Sequence, residues 1–346
     1  MDLDGRLERI AAGGEPGADA LAALRAFEGD PWPAKDGTAA RLDLLRRVGE
    51  GLLAAWRQAV PGAPFPGTTA WRLWLPMALD LAARRRRAGR AVVQGVLGAQ
   101  GCGKTTLPRV MAPLLQALGC STLSLSIDDF YLPFAQRVAL RQEDPRFRWR
   151  GPPGTHDAGQ ATRVLDDLQA GRATRVPRFD KSLQGGEGDR AGFLAAGPAD
   201  VVWLEGWLVG CRPVDEARID KAPWPIATRD DRDFARECNR RLAGYLPLWD
   251  RLDGLLVLWM PDFATVRDWR VEAERRMRDA GRDGMDDTQV DAFVTHFWKA
   301  LHPDLFVRPR VDSPRPGDRV AVLDARRRVV SVRQRAARPE RRNRRN

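Results

Sequence analysis

Val92-Val93-Gln94-Gly95-Val96-Leu97-Gly98-Ala99-Gln100-Gly101-Cys102-Gly103-Lys104-Thr105-Thr106 decides the fold of this chain. An apolar, strand-like run enters a glycine-rich segment directly. Leu107, Val110, Met111, Leu114, Leu115 and Leu118 then follow at helical spacing and stop at Gly119. Gly98 to Thr105 satisfies G-x-x-x-x-G-K-[ST] with a strand before it and a helix after it, the context the pattern requires. Glycines let backbone N–H groups turn inward around phosphate oxygens, and the helix start adds its positive dipole end. Lys104 reaches the outer phosphates and the Thr105 hydroxyl can ligate magnesium. Gly98, Ala99, Gln100, Gly101, Cys102, Gly103, Lys104, Thr105 and Thr106 are therefore the candidate contacts to a nucleoside triphosphate, and Lys104 the candidate catalytic cation. Cys102 reads as a small side chain inside the loop rather than a nucleophile.

Working outward, strand-like runs recur at Leu123–Ile127, Val201–Leu204 and Leu255–Met260, separated by long connections. That order implies an α/β fold with a mostly parallel sheet covered by helices on both faces. Ligands of such sheets collect at the carboxyl ends of the strands. Upstream, Leu21, Leu24 and Phe27 suggest a short helix, and Leu42, Leu44, Leu45, Val48, Leu52, Leu53 and Trp56 a longer one that ends in the breaker run 61–67. A further helix is expected from Thr69 to about Arg87. Val320–Leu323 and Val329–Val332 read as a hairpin. The organisation is a helical N-terminal extension over 1–90, a phosphate-loop domain over 91–333 and a basic, disordered tail over 334–346.

Composition narrows the function classes. The 346 residues are 43% apolar, ample for a core, yet nowhere does an apolar run approach the ~18 residues a membrane span needs. Met1-Asp2-Leu3-Asp4 does not resemble a secretory signal, and the four cysteines show neither a C-x-x-C pair nor metal-ligand spacing. A cytoplasmic protein with no membrane partner is expected. The net charge of +11 is concentrated: ten arginines face one acid, Glu340, between Arg326 and Asn346, so the body is nearly neutral and no specific nucleic-acid partner is expected.

Two acidic sites stand where strands should end: Asp128-Asp129 after Ile127, and Glu205 after Leu204. Carboxylates there can hold magnesium or accept a proton from an attacking hydroxyl, so Thr105, Asp128 and Glu205 are the metal candidates. No Asn precedes a lysine, so a guanine-reading N-K-x-D is absent and ATP with Mg2+ is the expected pair.

Ser126-Ile127-Asp128-Asp129-Phe130-Tyr131 resembles the element after the second strand of the phosphoribulokinase and uridine kinase superfamily. Arg150-Gly151-Pro152-Pro153-Gly154-Thr155-His156-Asp157, Pro177-Arg178-Phe179-Asp180-Lys181-Ser182, Gly188-Asp189-Arg190 and Glu205-Gly206-Trp207 follow in an order similar to the ATP-dependent D-glycerate 3-kinase family. The resemblance covers about Val92 to Pro303. It implies a P-loop kinase that phosphorylates a small hydroxy acid, with Asp128 as general base and Thr105 and Glu205 near magnesium. Asp129, Tyr131, Arg150, His156, Asp157, Arg178 and Lys181 become the candidate substrate contacts. The basic segment Val266 to Ala280 resembles the lid of these kinases, with Arg270 and Arg278 as the catalytic candidates among its arginines. Lys104 and Asp128 are expected to face one terminal phosphate from neighbouring strands. The rival reading is a P-loop ATPase or nucleotide-dependent regulator that acts on a macromolecule through the basic tail, or a kinase of the same superfamily for another metabolite.

Overall fold

Alternate residues of the strand Val92–Gly98 (β1) feed two different apolar layers: Val92 and Val96 point into one, Val93 and Leu97 into the other. A strand covered on both faces has no need of polar alternation, which is why this one reads as a continuous apolar run. The computed structural model describes residues 2–27, 32, 37–279, 281 and 284–334. The basic tail expected over 334–346 lies outside the described residues except for Gln334.

After β1 come β2 (Thr122–Ser126), β3 (Thr174–Asp180), β4 (Asp189–Ala196), β5 (Val201–Gly206), β6 (Gly254–Trp259), β7 (Arg319–Leu323) and β8 (Val329–Arg333). The main sheet runs β2-β5-β1-β6-β7-β8 and is parallel except for the last pair. The strands and the terminal hairpin stand where the sequence places them. The antiparallel hairpin β3–β4 is an addition the sequence reading lacks. One expectation is corrected: β1 and β2 are not neighbours, because β5 is inserted between them and pairs with both. Lys104 and Asp128 therefore stand one strand apart, and Glu205 at the end of β5 occupies the gap.

One layer consists of the Thr106–Ala117 helix, the Gly37–Ala59 helix packed across it and the N-terminal helices. Val110, Met111, Leu114 and Leu115 are fully enclosed there with Leu44 and Leu52, each such side chain contributing about 1.5–3 kcal/mol by removal from water. The first helix, Leu3–Ala11, escapes the sequence reading, although Asp2 caps it by accepting from the Gly5 N–H at 2.9 Å. The opposite layer holds the helices Ala158–Gln169 and Arg229–Leu242 with Phe234, Leu242 and Phe306. The loop 98–105 follows β1, Asp128 follows β2 and Glu205 lies at the end of β5, so the three gather at the carboxyl edge of the parallel sheet.

Candidate active site

The loop after β1 takes its shape from Gly101 and Gly103, whose φ angles of +77° and +95° only glycine adopts readily. A Cβ on Gly101 would lie 2.9 Å from Trp269 Cβ, so the helix Phe263–Asp279 rests directly on the loop. Lys104 Nζ donates to the Ala99 carbonyl at 2.6 Å, which arches the lysine over the turn. Cys102 is buried, and desolvation pushes its thiol up, as suits a small filler and not a nucleophile.

Thr105 Oγ1 donates to Glu205 Oε1 at 3.1 Å. The pairing of Val96 with Glu205 puts that carboxylate beside the mouth of the loop, where it is 8% exposed. The two groups offer only oxygen, the donor set Mg2+ selects. Among the described residues no three His, Cys, Asp or Glu side chains form a metal cluster of their own. Thr105 and Glu205 are therefore the oxygen ligands that would fit Mg2+ at this site.

The turn after β2 is built by a capping box: Ser126 Oγ accepts from Asp128 N at 3.2 Å, and Asp129 Oδ2 accepts from Ser126 N at 3.2 Å. Asp129 is thus spent mainly on folding the turn, with Arg178 3.5 Å from its other oxygen. Asp128 projects toward the hairpin β3–β4 instead, and Lys181 Nζ donates to its Oδ2 at 2.7 Å. Burial pushes this carboxyl up, but the Lys181 ammonium and the Tyr131 hydroxyl bond outweigh it, and Asp128 settles below the ordinary carboxylate value. Burial and the Asp128 charge hold the Tyr131 phenol well above its usual range, so it stays a donor.

His156 stacks on Tyr131 with ring centroids 4.4 Å apart, and its Nδ1 lies 2.8 Å from the Tyr245 hydroxyl. Burial lowers its pKa to about 4, so the ring is neutral at ordinary pH. Arg150 donates to the Gly186 and Glu187 carbonyls at 2.9 and 2.8 Å and so braces the hairpin turn from the acceptor side. Asp157 has both oxygens in structural bonds, one capping the Ala158–Gln169 helix through Gln160 N at 2.8 Å and one 3.4 Å from Arg190.

The helix Phe263–Asp279 separates the two arginine candidates. Arg270 sits beside the cradle over the Phe293 ring, paired with buried Glu274, and carries electrostatic coupling to Asp128 and Arg150. Arg278 lies nine residues past Trp269, roughly 13 Å along the helix. Its partners are the Met285 carbonyl and Asp287. The structure brings Lys104, Thr105, Asp128, Glu205, Tyr131, His156, Lys181 and Arg270 to one cleft and leaves Arg278 outside it.

Three contributors escape the sequence reading. Arg190 donates to the Tyr131 carbonyl at 3.0 Å, and Trp207 Nε1 donates to the Gly151 carbonyl at 3.2 Å; both stand in quoted motifs and could have been drawn from them. Tyr245 has no local signal, since only the fold carries it to His156. Trp207, Phe293 and Phe297 also wall an apolar cavity of about 80 Å³ beside Ala99 and Gln100, with Arg270 in its lining.

No family model matches the chain. Over 67% of its length it is 33% identical to the chloroplastic D-glycerate 3-kinase of Arabidopsis thaliana, and it spans 52% of that protein, about half its length. It is 32% identical to the uncharacterized kinase mug58 of Schizosaccharomyces pombe, over 60% of this chain and 79% of the relative. Among solved structures, a D-glycerate 3-kinase from Cryptococcus neoformans var. grubii superposes with a TM-score of 0.67 at 28% identity, covering 74% of this chain and 96% of the other.

Proposed function

This chain belongs to the D-glycerate 3-kinase family of P-loop kinases, and from that premise we propose that it transfers the γ-phosphoryl group of ATP to a hydroxyl of a small organic acid, D-glycerate giving 3-phosphoglycerate. The observation that carries this reading is the ion pair of Asp128 with Lys181 at 2.7 Å, standing one strand from the Thr105–Glu205 pair at 3.1 Å. An acid and an exposed cation thus stand across β5 from the loop that follows β1.

The ionised Asp128 accepts a hydrogen bond from the attacking hydroxyl and aims its lone pair at the γ-phosphorus. As the new O–P bond forms and the bond to the ADP oxygen breaks, the hydroxyl becomes acidic and its proton passes to Asp128. Lys181, 60% exposed along its side chain, is free to swing from Asp128 to the carboxylate of the acid. Lys104 and Arg270 offset charge on the transferring group. Thr105 and Glu205 would hold Mg2+, which when bound draws charge from the β- and γ-phosphate oxygens. Arg150, Arg178 and Tyr131 shape the acceptor side.

We place the reaction in the cytoplasm and assign it no specific nucleic-acid partner. All four cysteines are free and buried, and among the described residues no helix is long and apolar enough to cross a membrane. The test is turnover with Mg-ATP and a panel of hydroxy acids, nucleosides, ribulose 5-phosphate and pantothenate. D-Glycerate should be converted to 3-phosphoglycerate; phosphorylation of a nucleoside with none of glycerate removes the reading.

A further inference from the structure

Tyr245 lies on no sheet edge and in no motif, yet it controls the one buried histidine in the cleft. Its hydroxyl oxygen accepts the Gly154 N–H at 3.0 Å. A phenolic oxygen has two lone pairs and one proton. Among the described residues Nδ1 is the only acceptor bonded to this hydroxyl, so the contact of 2.8 Å to His156 Nδ1 is made by the Tyr245 proton, which makes Nδ1 the acceptor. The imidazole proton then resides on Nε2.

The opposite assignment is costly. A proton on Nδ1 would have the Tyr245 oxygen accept from both Gly154 and His156 and would strand the phenolic proton in a site that is 2% exposed. With the proton on Nε2, a single polar atom is left over. His156 is 5% exposed, and Nε2 has no hydrogen-bond partner among the described residues. Native proteins rarely keep such a buried donor without use for it. The ring is fixed on its other side by stacking against Tyr131, with ring centroids 4.4 Å apart.

We propose that Tyr245 is a positioning residue: it locks His156 in the Nε2–H tautomer, so that a neutral N–H donor stands beside Asp128 and binds an oxygen of the acceptor acid. The donor rests on the kinase reading above, whereas the tautomer does not. Locking matters because the Nδ1–H form would turn a lone pair toward that oxygen and repel it. A neutral donor also leaves the Asp128 charge available for the hydroxyl, which an imidazolium would compete for.

Two measurements test this. The chain has three histidines, so 15N-resolved imidazole spectra of the full-length protein without ligand can be assigned by single replacement. His156 should show the Nε2–H pattern, and Tyr245→Phe should release it to a mixture of tautomers; an Nδ1–H pattern in the wild type overturns the proposal whatever the substrate is. In kinetics, the Gln amide nitrogen reaches the position of Nε2 and the Asn amide nitrogen only that of Nδ1. His156→Asn should raise the KM for the acceptor about tenfold, the size expected for one lost hydrogen bond to a polar partner, and His156→Gln should recover most of that. Equal losses in the two variants, or a loss in kcat with KM untouched, overturn the donor role. A wild type with no turnover of any hydroxy acid would instead sink the kinase reading and leave the spectral result standing.

Discussion

Lys181 Nζ lies 2.7 Å from Asp128 Oδ2, a contact that joins the tip of the β3–β4 hairpin to the end of β2 across 53 residues of chain. If Asp128 is the base, Asp128→Asn keeps the shape of the turn and removes the proton acceptor together with the charge that pairs with Lys181. The rate should fall on the order of a thousandfold, the middle of the range for general base catalysis. Nucleotide affinity, read by isothermal titration, should change little, because the cradle is built by the neighbouring segment 98–106. A parallel collapse of affinity would show that Asp128 serves the nucleotide and not the acceptor.

Lys181→Met should move the pH profile. Burial raises the Asp128 carboxyl and Lys181 is the largest influence lowering it, so without the ammonium the carboxyl climbs. The acid limb of the kcat/KM profile should shift to higher pH, with the acceptor KM raised at every pH. An unmoved limb would mean that the ion pair does not govern the essential carboxylate.

Arg270 and Arg278 share a helix but not a site. Replacing Arg270 by Gln, which can still bond the buried Glu274, should lower kcat about a thousandfold, the low end of what an arginine at a transferring phosphoryl supplies. Arg278→Gln should stay within about threefold, since its partners are Met285 and Asp287. Steady-state rates of both variants at saturating ATP decide between them, and equal losses would contradict the placement.

Stability should weaken on mild acidification. His156, His296 and His302 are all buried, and burial lowers each, to about 4 for His156 and about 3 for His296. Below an unfolded value of about 6.5 the unfolded chain binds protons the folded chain refuses, so the free energy of unfolding falls as pH falls from 6.5 toward 4. Each histidine contributes up to ~1.4 kcal/mol per pH unit in that window. Urea melts at pH 7 and 5.5 should show the loss, and His296→Leu should reduce its slope by about a third. A flat profile would mean the rings are hydrated.

Residues that act through neighbours in sequence were legible before any fold was known. The turn over 98–106 needs glycine at left-handed positions and a lysine and hydroxyl at fixed offsets, constraints that local geometry alone imposes. Asp128 and Glu205 were legible for the same reason, each directly ending an apolar strand. Strand order was not, because parallel strands are joined by long crossovers whose length does not say which neighbour a strand will take. Insertion of β5 between β1 and β2 therefore came as a correction to the expected pairing of Lys104 with Asp128.

The sequence by itself determined the phosphate cradle, the strands and the acids at their ends, since each follows from backbone sterics or a short apolar period. Only the tertiary structure decided which cations and rings complete the cleft. Lys181 reaches Asp128 through a hairpin, Tyr245 reaches His156 from a helix 89 residues away, and Arg278 drops out because a helix advances along its axis. Such contacts are set by the packing of separate elements, and no spacing in the chain encodes them.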